Sequence, residues 1–435
     1  MSMPFLKFAR PLSGVSIIIL LLASFVTTSA IHSTKPQREG QPTGIEIPGM
    51  SAFDRIIPAL MRKYDVPGGA VAVVKDERLV FARGYGWADR DNHEPVQPDS
   101  LFRIASLSNA ITAATILKLV EQGRLRLNDR AFRLLDDVKP PAGAKVDRRI
   151  YDITIRELLN HSGGWDRDKS FDPMFRSQEI SQTLGIPGPA GPDAIIRYML
   201  GQPLQFAPGA RYAYSNFGYC VLGRVIERVT GQRYETFVDQ AILRPGSVRC
   251  MREGHTLLRN RAPNEVRYYG YPGIGLADSV FPNIHNKVPW FYGGWYIEAM
   301  QAHGGWIASA VDIVRFITDV DGRPRHQNLL TPESIREMTA RPAGLWVGSD
   351  NWYGMGWQVR TAGNGFNWWH LGSLDGTTTI MVRAYNGLDW VALFNSRPKN
   401  SDGFSGELDS ALWQAVGQVK EWPNENQFDS FRTCR

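Results

Sequence analysis

Two β-hairpin patterns at opposite ends of the chain constrain the fold more than any other feature. Near the start, the apolar runs Gly69 to Val74 and Arg78 to Gly84 are separated by Lys75-Asp76-Glu77. Near the end, Thr378 to Arg383 and Asp389 to Phe394 flank Asn386-Gly387, a dipeptide that favours tight hairpin turns. If both hairpins join one sheet, the chain ends meet and everything between is an excursion. That middle is largely helical in pattern: Asn109 to Gln122, Ile155 to Asn160, Asp193 to Leu200, Phe217 to Val229 and Tyr234 to Leu243, the last two split by Thr230-Gly231. A further helix is expected from about Gly406 to Val419, and the Pro-, Gly- and Trp-rich stretch Tyr268 to Gly305 reads as long loops. The expectation is an α/β fold: an antiparallel sheet from both chain ends, flanked by helices, with a mostly helical subdomain inserted.

Composition narrows the class. With 435 residues, 43% apolar and 21% charged, the chain can bury a large core. Lys7 and Arg10 precede an apolar run from about Val15 to Val26 and the small residues Thr28-Ser29-Ala30, the pattern of an export signal. The run is shorter than the ~20 residues of a spanning helix, which disfavours an uncleaved membrane anchor. The expected organisation is a signal peptide over 1–30, a flexible linker over 31–48, one folded domain over 49–425 and a tail over 426–435, in a secreted or periplasmic protein. Loss of the signal would lower the formal charge from +6 to +4. Basic residues are scattered without aromatic interleaving, which argues against nucleic-acid binding. Three cysteines allow one internal bridge at most, and Cys220, in an apolar helical stretch, reads as a small core residue. The eight histidines show no metal-ligand spacing and no phosphate-binding loop is present, so neither metal nor cofactor is expected.

One segment carries the chemistry. Phe102-Arg103-Ile104-Ala105-Ser106-Leu107-Ser108-Asn109 leads into the apolar run Ala110 to Val120. A serine at the start of a buried helix lies near the positive end of its dipole, where a developing anion is stabilised. Alone, Ser106 would read first as a helix cap.

Two further segments change that reading. Tyr212-Ala213-Tyr214-Ser215-Asn216 follows Ala207-Pro208-Gly209, and Trp369-His370-Leu371-Gly372-Ser373 comes later. In order and spacing, these resemble the signatures Ser-x-x-Lys, Tyr-x-Asn and Lys/His-x-Gly of the penicillin-recognising serine hydrolases: class C β-lactamases, DD-peptidases and related esterases. Leu158 to Gly164 and Gly304 to Asp312 extend the resemblance, which runs from about Ser51 to Gly417. It implies a β-lactamase/transpeptidase-like fold, with the third motif on an edge strand, and acyl transfer through a covalent acyl-serine. Ser106 would be the nucleophile, Tyr214 the proton relay, and His370 a contact for a substrate carboxylate or the Tyr214 side. Asn216 would bind the substrate amide, and backbone N–H groups of Ser106 and Ser373, beside Gly372, would form the oxyanion hole. Substrates would be small esters, amides or peptides, cell-wall peptides among them. Trp165, Trp306, Trp368 and Trp369 would line an aromatic pocket.

Asn109 departs from the pattern. It stands where the family has the lysine, one turn after Ser106 on the same helix face, and has the position without the charge. A neutral amide can hold Ser106 by a hydrogen bond but cannot serve as a base near neutral pH. Losing general-base assistance costs about 10²- to 10⁴-fold in rate. Lys169 on a nearby loop and His370 are the candidate substitutes, Lys118 being roughly 13 Å farther along the helix. Two functions follow: a serine hydrolase working without the lysine, or a pseudoenzyme that binds peptidoglycan-like peptides or acyl ligands without turnover.

Overall fold

The computed structural model describes residues 41–324 and 327–431. The expected signal peptide lies outside the described residues. Eight strands form the main sheet: β1 (Gly68–Lys75), β2 (Arg78–Asp89), β3 (Glu94–Pro95), β4 (Asn351–Tyr353), β5 (Gln358–Ala362), β6 (Gly365–Leu374), β7 (Thr377–Arg383) and β8 (Leu388–Phe394). Their order is β4-β5-β6-β7-β8-β1-β2-β3, and every neighbour is antiparallel. The two hairpins therefore do join, through β1 and β8, in a register from Gly69 opposite Phe394 to Lys75 opposite Leu388. Asp76 and Glu77 turn the first hairpin with φ of 50° and 64°, the left-handed pair that matches strand twist, and Gly387 turns the second at φ 84°.

Five helices frame the sheet: α1 (Ser51–Lys63), α2 (Ser108–Glu121), α3 (Asn216–Thr230), α4 (Ala310–Val320) and α5 (Ser401–Gly417). The central strands are apolar on both faces because both faces are covered. On one face Val71, Val73, Ile380, Val382 and Trp390 pack with Phe53 and Ile57 of α1 and Phe404, Leu408 and Leu412 of α5. On the other, Ala70, Ala72, Met381, Val391 and Leu393 join a core shared with α2, α3 and α4. Helix α4 was not anticipated: Val311, Ile313, Val314 and Ile317 suit a strand equally well, and the reciprocal Ser309–Asp312 capping box decides for a helix. Helix α5 begins at Ser401 rather than Gly406, because the Asn400 side chain accepts from the Gly403 N–H and caps the turn.

Both ends of the described residues are more firmly held than expected. Thr43, inside the presumed linker, pairs with Gly84, and its hydroxyl donates to the Val96 carbonyl at 2.5 Å. Gln427 and Phe428, assigned to a tail, are buried; Gln427 donates to the Val80 carbonyl and Arg315 stacks on Phe428. Strand β6 is not an outer strand. Its first half is flanked by β5 up to Trp369, and only His370–Leu374 has an open side, where β5 has ended. Cys220 is free and buried, so it does not bridge to Cys250, which is disulfide-bonded. No described helix is long and apolar enough to cross a membrane.

Candidate active site

Ser106 sits on a 3-10 turn, Ala105–Leu107, that leads into α2. The turn is forced. Ala105 has φ 49°, a left-handed conformation that costs a residue with a Cβ roughly 1 kcal/mol or more. Several bonds hold it there: the Ser108 hydroxyl donates to the Ala105 carbonyl, Thr379 to that of Ile104 and Thr377 to that of Arg103. Arg103, buried, donates to the carbonyls of Phe291 and His255 and lies over the Tyr268 ring. Gly372 allows β6 to close on this turn. A Cβ there would meet the Thr379 hydroxyl at 2.2 Å and the Ile104 carbonyl at 2.5 Å. Gly372 thus acts through backbone proximity, presenting Ser373 at the exposed edge beside Ser106.

The three motifs converge on one cleft of about 790 Å³. Ser106, Tyr214, Asn216, His370, Gly372 and Ser373 all line it. Asn109 does not; it is fully buried behind them and its amide donates to the Tyr214 hydroxyl at 2.7 Å. The Asn109 carbonyl oxygen has no partner, although it is buried. Burial pushes the Tyr214 phenol up from its ordinary value, against hydrogen bonds from Ser106 and Asn109 and the charge of Arg167, so at neutral pH it is a phenol.

Tyr214 stands on a loop fixed by His161. The His161 carbonyl accepts from Ala213 and its Nδ1 from the Ser215 N–H, while its ring packs 4.2 Å from that of Tyr214. Accepting at Nδ1 makes this imidazole neutral, in line with burial holding it well below the usual histidine range. Ser215 caps α3, which sets Asn216 at its first turn. The Asn216 amide donates to Asp172 at 2.7 Å, leaving its buried carbonyl oxygen without a partner.

His370 is occupied on both nitrogens. Nδ1 lies 2.7 Å from the Leu371 carbonyl, which can only accept, so Nδ1 carries the proton and Nε2 accepts from the Tyr353 hydroxyl at 2.9 Å. Burial lowers its pKa to about 4. It does not bond Tyr214; their rings are 6.4 Å apart.

Neither candidate substitute for the lysine is in place. Lys169 is exposed and absent from the cleft wall, and His370, with both nitrogens engaged, has no lone pair to offer Ser106. Lys118, too far along the helix, donates to the Leu329 carbonyl and pairs with Glu121. The cation that does enter is Arg167, whose guanidinium lies 4.7 Å from the centre of the Tyr214 ring. Arg167 and Lys169 are near neighbours in sequence, and nothing in a polar loop announces which will turn inward. His303 was also missed. It precedes Gly304-Gly305, is buried, lines the cleft and has an unpartnered Nε2, with its pKa lowered to about 3 by burial. Of the four tryptophans, only Trp369 lines the cleft; Trp165, Trp306 and Trp368 are core. No cluster of metal-ligating side chains occurs among the described residues.

Comparison with known proteins agrees with this architecture. Penicillin-binding protein 4* of Bacillus subtilis is 26% identical over 370 residues, 82% of this chain and 74% of its own. Protein flp of Staphylococcus aureus strain COL is 29% identical over 193 residues, and the match spans only 36% of its length. The D-amino acid amidase of Ochrobactrum anthropi SV3, solved with L-phenylalanine amide, superposes with a TM-score of 0.66 at 22% identity, covering 86% of this chain and 99% of that one. A family model described as Beta-lactamase matches residues 53–412, and the chain belongs to that family.

Proposed function

We propose that the protein is a serine hydrolase that forms an acyl-enzyme on Ser106, exported from the cytoplasm and acting on small esters, amides or peptides, cell-wall peptides among them. The observation that carries this reading is the chain Ser106–Tyr214–Asn109, its first two members lining the cleft and the third buried behind them. Asn109 donates into one lone pair of the Tyr214 oxygen, and the other can accept the Ser106 proton. The phenol's own proton is then left for the leaving group. As Oγ of Ser106 bonds to the acyl carbon and the bond to the leaving group breaks, the serine proton passes to Tyr214 and the tyrosine proton to the departing heteroatom. This relay needs no ionised base, so it is slower than the family's lysine-assisted route. Backbone N–H groups of Ser106 and Ser373 would bind the carbonyl oxygen, Asn216 the acyl side of the substrate, and His370 would shape the strand wall.

One observation favours the second reading, a pseudoenzyme. Among the described residues, no side chain near Ser106 combines ionisation near neutral pH with a free lone pair: Tyr214 is a phenol and His370 is occupied. Intact mass spectrometry after treatment with a fluorophosphonate and a p-nitrophenyl ester separates the two. An adduct that disappears in Ser106→Ala, and forms at least about 10²-fold faster in Asn109→Lys, supports the hydrolase. No adduct on the unaltered protein, with labelling restored in Asn109→Lys, overturns it and leaves a binding protein.

A further inference from the structure

The family's charge is missing from the Asn109 side of Tyr214, but the ring's other surroundings are not neutral. The Arg167 guanidinium stands 4.7 Å from the ring centre and lines the same cleft as Ser106. A cation over an aromatic face is attracted to the ring, and more strongly when a phenolate spreads its charge into that ring. Asp172 at 3.7 Å and Asp168 at 3.9 Å pair with the guanidinium at the long end of ion-pair range, and its charge still reaches Tyr214, where it opposes the effect of burial. The other groups around Tyr214 carry no positive charge at neutral pH: His161, His370 and His303 are kept neutral by burial, Tyr212, Tyr219 and Tyr353 are phenols, and Asn109 is an amide. Asp172, half-buried, contributes the opposing sign.

We propose that Arg167 is the positioning cation of this active site, supplying from the face of the Tyr214 ring the charge that a lysine at position 109 would supply from its edge. The inference rests on Ser106 being the nucleophile. During acylation the tyrosine proton moves to the leaving group as the serine proton arrives. Whenever the first transfer leads the second, the ring is phenolate-like, and Arg167 stabilises it. The guanidinium touches neither the reacting bond nor the proton in flight. Its permanent charge also explains how the site does without a group that must titrate.

The test uses the full chain and p-nitrophenyl acetate, an uncharged substrate that gives Arg167 no anion to bind. Arg167→Gln should slow acylation about tenfold at pH 7, the equivalent of a tenfold change in Tyr214 acidity, and move the alkaline limb of the rate profile up by about one pH unit. Arg167→Lys should recover most of the rate. In Asn109→Lys the same Arg167→Gln change should cost less than about threefold, since a second cation is then present. Equal rates and profiles for Arg167→Gln and the unaltered protein would overturn the proposal, as would a loss confined to the KM of anionic substrates. A ¹³C-tyrosine NMR titration, with Tyr214→Phe for assignment, reads the effect without catalysis. If Ser106 proves unreactive, a higher Tyr214 pKa in Arg167→Gln still supports the electrostatic role, and an unmoved one removes it.

Discussion

The two walls of the cleft are built on opposite plans. On the strand wall, polar atoms are paired within the protein: His370 spends one nitrogen on the Leu371 carbonyl and the other on Tyr353, and Thr377 and Thr379 bond to carbonyls of the Ser106 turn. On the loop and helix side, buried polar atoms of the lining are left over: the carbonyl oxygen of Asn216 and Nε2 of His303. A buried polar atom without a partner costs ~1–3 kcal/mol, a penalty that a fold tolerates where something else supplies the bond. The difference teaches that the strand wall is a finished template, whereas the loop wall is completed by what binds to it.

Substitutions that break this contrast should differ in size. The largest effect is expected from Tyr214→Phe, which removes the proton carrier in contact with Ser106; acylation should fall by about 10²- to 10⁴-fold, while stability falls only by the loss of the Asn109 hydrogen bond, ~0.5–1.5 kcal/mol, measured by burst kinetics and calorimetry. Next comes acid sensitivity. The pKa values of His370 and His303, about 4 and about 3, lie below the ordinary 6.5. Between those values the unfolded chain binds protons that the folded one refuses, so stability is full above pH 6.5 and is lost as pH falls toward 4 and 3, by ~1.4 kcal/mol for each pH unit that separates the folded and unfolded values. Urea denaturation at pH 7 and pH 5 checks this, and His303→Gln should flatten the dependence; an unchanged midpoint would contradict it.

Asp172→Ala should sharpen the comparison on the loop wall. With its amide released, Asn216 is free to rotate, and kcat/KM for amide substrates should fall about tenfold while simple esters are less affected, since esters offer no N–H to the Asn216 oxygen. The smallest change is expected on the strand wall: Tyr353→Phe strips His370 of one donor, costs ~0.5–1.5 kcal/mol in urea midpoints and leaves acylation within about threefold.

How much of this was legible depends on the kind of signal. The hairpins were, because short apolar runs and the turn residues between them are local, and the structure honours both. Helix α3 was, because Ser215 and Gly231 cap it at both ends. The convergence of Ser106, Tyr214, Asn216 and His370 was visible only as motif order, since no periodicity says that three distant loops meet. Three things were out of reach for physical reasons. Side-chain direction in the loop after Gly164 decides between Arg167 and Lys169, and it follows from the tertiary contact with Tyr214. Burial separates Trp369 from the adjacent Trp368, which points to the opposite face of β6. The tautomer of His370 depends on the Leu371 carbonyl and on Tyr353, seventeen positions earlier.

The seam between β1 and β8 has a kinetic consequence. Val71 finds Ala392 only after nearly the whole chain has been made, and α1 docks on α5, where Lys63 and Tyr64 both reach Glu407. A ribosome or a translocation channel would therefore release the first hairpin with one edge bare and both faces apolar, waiting for its neighbour. Contacts this remote in sequence make for slow assembly and long exposure to proteases and to aggregation. For this molecule, the C-terminal hairpin and the helix after it would be the last to close the sheet, and their loss would leave the nucleophile's turn with no sheet to rest on.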